Sequence, residues 1–343
     1  MFVMGLRAFL LTLLLGLTGL NLPGAARAQC QGRDLLPDMA PDARAALQAR
    51  AEKVPYGTGL LWRATRSEAD GARTVLTIFG SYHLHHARTQ AHFELLRPIG
   101  EAADVAWFEM NATDMATFER EAAQNPAVLF RNEGPTLPEQ LSEADWQLVR
   151  EKMAARGFPG FLTAKMKPIF VSMMLGLSPC QMRAMQDPDK KGIDDVLARH
   201  FEGAGKDTRS LEHYLTALSV MDGVSHKDQI DMLRLSLYLP QDPDDILETM
   251  YRAYLREEIA VFWEYGRYLS LAHGGDGVEE DFAQLEDLLL SRRNRAWVDL
   301  LLRDAVGGTH FLTFGAAHLI GENGVLALLR GAGFTIERMP LGT

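Results

Sequence analysis

The sequence predicts an α/β fold: a central mixed β-sheet assembled from both chain ends, flanked by helices, with a large helical middle segment forming a cap. Three observations carry this expectation. In the first third, the apolar runs "GTGLLWRATR", "ARTVLTIFG" and "DVAWFEM" surround one helical stretch. From about 112 to 308 the apolar residues recur at helical spacing. The end of the chain, "HFLTFG", "GENGVLALLRGAG" and "FTIERM", returns to strand, helix and strand. In an open α/β sheet, functional residues gather at the carboxyl ends of the strands.

Each element has a local reason. A helical segment around Ala40 to Lys53 precedes the first two runs, which the polar turn Ser67-Glu68-Ala69-Asp70-Gly71 joins as a hairpin. Phe93, Leu95, Leu96 and Ile99 share a helical face between Ala87 and Ala103, and the next strand ends near Glu109. Ser142, with Asp145 three residues on, caps a helix that closes at Gly157. "KPIFVSMMLGLSP", bounded by Pro168 and Pro179, is apolar all round and reads as a buried helix. Helical patterns recur in "IDDVLARHF", "HYLTALSVM", "DQIDMLRLSLYL" and the long "DPDDILETMYRAYLREEIAVFWEYGRYLSLA". In the last third, Gly331 and Gly333 stop the helix before the final strand.

Residues 1–28 read as a secretory signal peptide: Arg7, an apolar run from Phe9 to about Leu20, then Pro23-Gly24 and Ala26-Arg27-Ala28. The alternative, a retained anchor, falls short of the roughly 20 apolar residues that a span requires. Residues 29–343 then form one α/β domain with a helical insertion, periplasmic or secreted and with no stable membrane insertion. Export makes a Cys30–Cys180 disulfide the expected state, against two unrelated buried thiols. The formal charge of −10 becomes −12 once Arg7 and Arg27 leave with a segment that holds no Asp or Glu. Such a surface repels phosphate backbones and disfavours nucleic acid as a partner.

Two apolar runs end in Gly-x-x-His, as Gly80-Ser81-Tyr82-His83 and as Gly315-Ala316-Ala317-His318. Glycine permits unusual backbone conformations and close approach, and the histidine is then held on a short turn at the sheet edge. One such pattern is weak; two, each after a strand and before a helix, point to a shared site. The plain alternative is a pair of hydrogen-bonded turn residues. His85 and His86 crowd the first motif, and the other histidines show no paired spacing.

"FGSYHL", "AWFEM", "LEHYLTAL", "RRNRAW" and "FGAAHLIGENGVLALLRGAGF" resemble the TraB/GumN family, which is related to the Tiki metalloproteases within an EreA/ChaN-like superfamily. The resemblance covers roughly residues 50 to 340. It maps the paired motifs onto Gly80 to His83 and Gly315 to His318, the strand-end acid onto Glu109, a Leu-Glu pair onto Leu211-Glu212, and an Arg-Asn-x-x-Trp pattern onto Arg293, Asn294 and Trp297. Serine replaces the family's usual threonine at Ser81 and keeps the hydroxyl. The resemblance implies a metal-dependent, peptidase-like hydrolase.

Two imidazoles and a carboxylate, His83, His318 and Glu109, suit a divalent transition metal, Mn²⁺, Co²⁺ or Zn²⁺, with open positions for water. A second carboxylate would accept the proton, and Arg293 would bind an oxyanion or a substrate carboxylate. Arg293 also reads as a solvated helix charge within "SRRNR", and Glu212 as a cap for a helix near His213. The substrate expected is a peptide or another small amide. The alternatives are a haem or metal-ligand binding protein using the same histidines, and a non-catalytic envelope or export accessory factor.

Overall fold

A computed structural model describes residues 30–187, 189–216, 223–275 and 277–341. The signal-peptide reading of residues 1–28 lies outside these, as does most of the helix expected at "HYLTALSVM". Six strands form one mixed sheet: β1 (Leu61–Ser67), β2 (Arg73–Ser81), β3 (Val105–Phe108), β4 (Thr208–Ser210), β5 (Gly308–Gly315) and β6 (Thr335–Met339). Their order across the sheet is β4-β3-β5-β2-β1-β6.

β1 and β2 are the expected antiparallel hairpin, with Leu61 opposite Phe79. Gly71, at φ +85°, supplies the left-handed residue of the turn. β5 lies parallel to both β2 and β3, and so separates the two strands of the N-terminal strand-helix-strand unit. Phe79, Ile78, Phe311, Leu312 and Phe314 on β2 and β5 are fully buried, as continuous apolar runs at a sheet centre require. β6 pairs antiparallel with β1, so both chain ends build the sheet.

The helix Thr89–Ala102 packs against Ile193–Gly203 beside the sheet, where Gly100 is needed because a Cβ there would lie 2.2 Å from the Phe201 ring. The middle of the chain carries a second apolar cluster, including Leu137, Val149, Met153, Val171, Leu233 and Leu237. Ser142 Oγ accepts the Asp145 N–H at 3.1 Å, the expected cap. The "KPIFVSMMLGLSP" helix is Pro168–Leu175 and is followed by a separate helix, Pro179–Met185. A disulfide joins Cys30 to Cys180 across 150 positions.

Two features depart from the sequence reading. The insertion is not wholly helical: Thr208–Ser210 pairs parallel with β3 as an edge strand. Its three polar residues carry no apolar run to mark it. The long 242–272 pattern is two helices, Pro243–Leu255 and Ile259–His273. Glu257 breaks it at φ +59°, held by the Gly59 N–H on its carbonyl at 2.9 Å and by Leu60 N–H and Arg338 on its carboxylate. Tertiary contacts with the start of β1 and with β6 therefore override helical spacing there.

Candidate functional site

The parallel register places Ser81 beside Gly315 and Phe108 beside Thr313, so the chain leaves β2, β5 and β3 at one edge of the sheet. His83, His318 and Glu109 each sit just past one of these strand ends. Neither motif glycine uses a left-handed conformation; close approach is the reason for both. A Cβ on Gly80 would meet Leu319 Cδ1 at 2.6 Å, and one on Gly315 would stand 2.9 Å from His83 Nε2 and 3.3 Å from Glu109 Oε1. Gly315 thus keeps open the space between the imidazole and the carboxylate.

Glu109 lies at the centre. Its Oε1 accepts the Gly315 N–H at 2.7 Å and stands 3.8 Å from His83 Nε2 and 3.9 Å from His318 Nε2. Its Oε2 accepts from Arg293 Nη2 at 2.7 Å. Burial opposes its charge, but His318, His83, Arg293 and the Gly315 N–H hold its pKa below the usual carboxylate range. Burial also drives the His318 pKa down, to about 3. Because His318 is neutral above that pH, Arg293, protonated His83 and the N–H dipole keep Glu109 ionised at neutral pH.

Each histidine is oriented from behind. His83 Nδ1 lies 2.8 Å from Asp194 Oδ2, and His318 Nδ1 lies 2.6 Å from Asn294 Oδ1. An oxygen behind each Nδ1 selects Nδ1–H and turns Nε2 toward Glu109; that nitrogen carries the lone pair in neutral His318, and in His83 once the ring gives up its second proton. Arg293 Nη1, 3.2 Å from His318 Nε2, supports that assignment, since a guanidinium can only donate. The His318 ring packs on Trp297 with centroids 4.3 Å apart. His83 is open by comparison, with 57% of its side chain exposed. Burial would lower its pKa, but the Asp194 charge and hydrogen bond, together with Glu109, raise it to about 9.

Arg293 is not a solvated charge: its side chain is 14% exposed. Glu212 takes its Nε at 2.9 Å and Nη2 at 2.8 Å, and Trp297 Nε1–H donates to the same carboxylate at 3.2 Å. Leu211, which precedes Glu212, donates its N–H to the Phe108 carbonyl at 2.7 Å, so β4 delivers Glu212 to the site. A π-helical turn, Asp287–Ser291, joins helix Val278–Glu286 to helix Arg292–Asp304, and Arg293 Nη1 bonds the Leu289 carbonyl inside that turn. Such turns widen a helix by one residue and reset which side chains face inward.

All eight expected site residues other than the cysteines and Gly80 therefore meet in one cluster: Ser81, His83, Glu109, Glu212, Arg293, Asn294, Gly315 and His318. Ser81 Oγ is buried beside Gly315 without a hydrogen-bond partner. His85 is exposed, while His86 is buried against Tyr82, His92, Tyr251 and Tyr254. The sequence reading missed Asp194. In "IDDVLARHF" it looks like an ordinary acidic helix start, and only the tertiary contact of Gly192 with the His83 turn, where a Cβ would meet the His83 carbonyl oxygen at 2.2 Å, brings it into place.

The comparison with protein families matches residues 60–338 to the TraB/PrgY/gumN family. The chain belongs to the TraB/PrgY/gumN family. The match spans every residue of the cluster, from Ser81 to His318, so the site is built wholly within the TraB/PrgY/gumN region. No curated protein matches the chain.

Can these residues take a divalent cation? Bonds of about 2.1 Å in a tetrahedral site set ligand atoms about 3.4 Å apart. The 3.8 and 3.9 Å separations around Glu109 Oε1 are within a small side-chain adjustment of that. Two oriented imidazole nitrogens and a carboxylate oxygen are a suitable donor set, with Arg293 Nη1 competing for the His318 lone pair. Among the described residues no three His, Cys, Asp or Glu side chains already stand at the spacing of a metal site, so His83, His318 and Glu109 would have to close up around an ion.

Proposed function

We propose that the cluster is the centre of a metal-dependent hydrolase acting on a peptide or another small amide. One observation carries the reading: two imidazoles, each oriented through Nδ1 by an oxygen, direct Nε2 to within 4 Å of a single carboxylate oxygen. That is the arrangement expected of ligands or of a proton-handling centre, and a structural turn histidine has no need of it. Family membership supports the reading at the coarser level. The signal-peptide pattern supports a periplasmic or secreted location.

His83, His318 and Glu109 would hold Mn²⁺, Co²⁺ or Zn²⁺. When bound, such an ion lowers the pKa of water and polarises a carbonyl. The chain's own residues supply the rest. Glu109, ionised at working pH, can accept a hydrogen bond from an attacking water and direct it. Arg293 stands beside Glu109 and His318, where it can stabilise charge that develops on a carbonyl oxygen. Glu212 is committed on both oxygens to Arg293 and Trp297, so its part is to aim the guanidinium. Asp194 and Asn294 fix the two rings.

The test uses Glu109→Gln, His83→Ala and His318→Ala, with circular dichroism to verify folding. Each variant should lose Mn²⁺, Co²⁺ or Zn²⁺ binding and cleavage of a peptide library. Retained cleavage in all three overturns the reading. Haem binding that survives Glu109→Gln and disappears only in the histidine variants would favour a binding protein instead. A folded wild type that binds neither metal nor haem and cleaves nothing would favour an accessory role.

A further inference from the structure

Beneath the first Gly-x-x-His turn lies a pair of histidines that the Glu109 cluster does not use. His86 and His92 are 7% and 6% exposed, and their rings meet edge to face with centroids 5.4 Å apart. His86 also packs on Tyr82, Tyr251 and Tyr254 at 5.9, 5.2 and 5.8 Å, and His92 packs on Phe79 at 5.6 Å. Tyr82 precedes His83 in the motif, and the Tyr254 hydroxyl donates to the Gly80 carbonyl at 3.0 Å. The pair therefore supports the turn from which His83 reaches Glu109.

The surroundings fit two neutral rings and oppose charged ones. His86 Nδ1 accepts the Arg88 N–H at 3.1 Å, so in the neutral ring the hydrogen is on Nε2. Protonation would set a second hydrogen on Nδ1, donor against donor, and break that bond. His86 Nε2 and His92 Nδ1 are buried without a partner, so neither nitrogen offers a charged ring an acceptor.

Nearby charges do not compensate. His85 and Arg88, on the same segment, oppose further positive charge, while Glu257 beyond helix Pro243–Leu255 pulls the other way on His92. On that helix Glu248 is held by Arg252 at 2.6 Å, and on helix Ile193–Gly203 Asp194 is committed to His83. Across the cavity that His86 borders stand Arg183, Lys190, Asp187 and Asp244, two charges of each sign. Burial first, and then the neighbouring histidines, hold the His86 pKa down at about 3; burial and Arg88 hold that of His92 at about 4. A histidine with a depressed folded pKa contributes its full stability above the ordinary value of about 6.5, and this is lost as the pH falls toward the folded value. Acid thus selects conformations in which the rings have left their pocket.

We propose that His86 and His92 form an acid-operated latch: their protonation releases the Gly80–His83 turn and withdraws His83 from Glu109. The loss of cleavage that would follow rests on the hydrolase reading, whereas the release itself can be measured without turnover. The test is hydrogen exchange of the Arg88 amide in the full mature chain, followed by NMR and corrected for the intrinsic rate at each pH. Between pH 7 and pH 5 its opening should rise about 25-fold for one exposed ring and about 600-fold for both, and reverse on return to pH 7. His86→Asn/His92→Phe keeps a side-chain oxygen near the place of Nδ1 and cannot titrate, so its opening should not rise. His92→Phe alone should show the rise of one ring, a check that serves if the double variant does not fold.

A wild-type opening that stays flat, or that rises equally in the variants, overturns the proposal. The Tyr82 and Tyr254 ring signals, assigned with Tyr82→Phe and Tyr254→Phe, should move along the same pH curve. If they stay in place while the Arg88 amide opens, the pair titrates without moving the turn and the proposal fails. A wild type that releases the turn in acid but cleaves nothing at pH 7 overturns the hydrolase reading and leaves the latch standing.

Discussion

Replacing Arg293 with methionine keeps the unbranched stem and removes the guanidinium. Three hydrogen bonds to carboxylates are then lost, one to Glu109 and two to Glu212, along with the contact between the Arg293 Cζ and the Trp297 ring at 4.8 Å. Glu212, with 4% of its side chain exposed, has little access to water to replace them. Stranding a buried charge in this way costs about 3–5 kcal/mol. We expect a loss of about 4 kcal/mol in urea unfolding. At about 2.1 cal/mol/K per residue, a chain of this size has an unfolding entropy near 0.7 kcal/mol/K, so the Tm should fall by about 6 °C. Adding Glu212→Gln to Arg293→Met removes the stranded charge and leaves an amide oxygen for Trp297 Nε1–H. The double variant should recover about half the loss. A single variant that loses less than about 1 kcal/mol, or a double variant less stable than the single, would refute the placement of Arg293 as the counter-charge of this centre.

Opening the Cys30–Cys180 loop in a Cys30→Ser/Cys180→Ser variant should lower stability by up to about 5 kcal/mol, from the loop entropy of 150 residues, measured by urea unfolding; alkylation of unreduced wild-type protein should label no thiol. Gly315→Ala should leave the Tm within about 2 °C of wild type yet abolish cleavage and cation binding, because its Cβ enters the space between His83 Nε2 and Glu109 Oε1. The raised His83 pKa fixes a pH dependence: its contribution to stability is complete below pH 6.5 and is lost as pH rises through about 9. The wild-type Tm should therefore fall more steeply than that of Asp194→Asn between those values; equal slopes would remove Asp194 as the cause.

The sheet was legible where strands are apolar and the site where residue types recur. β2 and β5 announced themselves by buried runs ending in glycine, and their parallel pairing is what makes His83 and His318 neighbours. β4 gave no signal, because three polar residues at a sheet edge have only one strand to satisfy and no face to bury. Arg293 sat in a basic run whose chemistry fits solvent equally well; its burial follows from the π turn and from Glu212, and neither is written in local spacing. Asp194 likewise depends on the packing of Gly192 against the His83 carbonyl. The break at Glu257 belongs to the same class, since a glutamate at φ +59° is held by β1 and β6 rather than by its own neighbours.

The strand order also sets a timetable for the nascent chain. β5 fills the gap between β3 and β2, and Thr74 must wait for Gly308 to be synthesised before it can pair. Until then the hydrogen-bonding edges of β2 and β3 that face this gap are open, and exposed edges of apolar strands recruit other chains. Pairing at such sequence separation is intrinsically slow. A chain truncated before residue 308 should accordingly be held by chaperones or aggregate, whatever the quality of its helices, because the missing strand is the one at the centre.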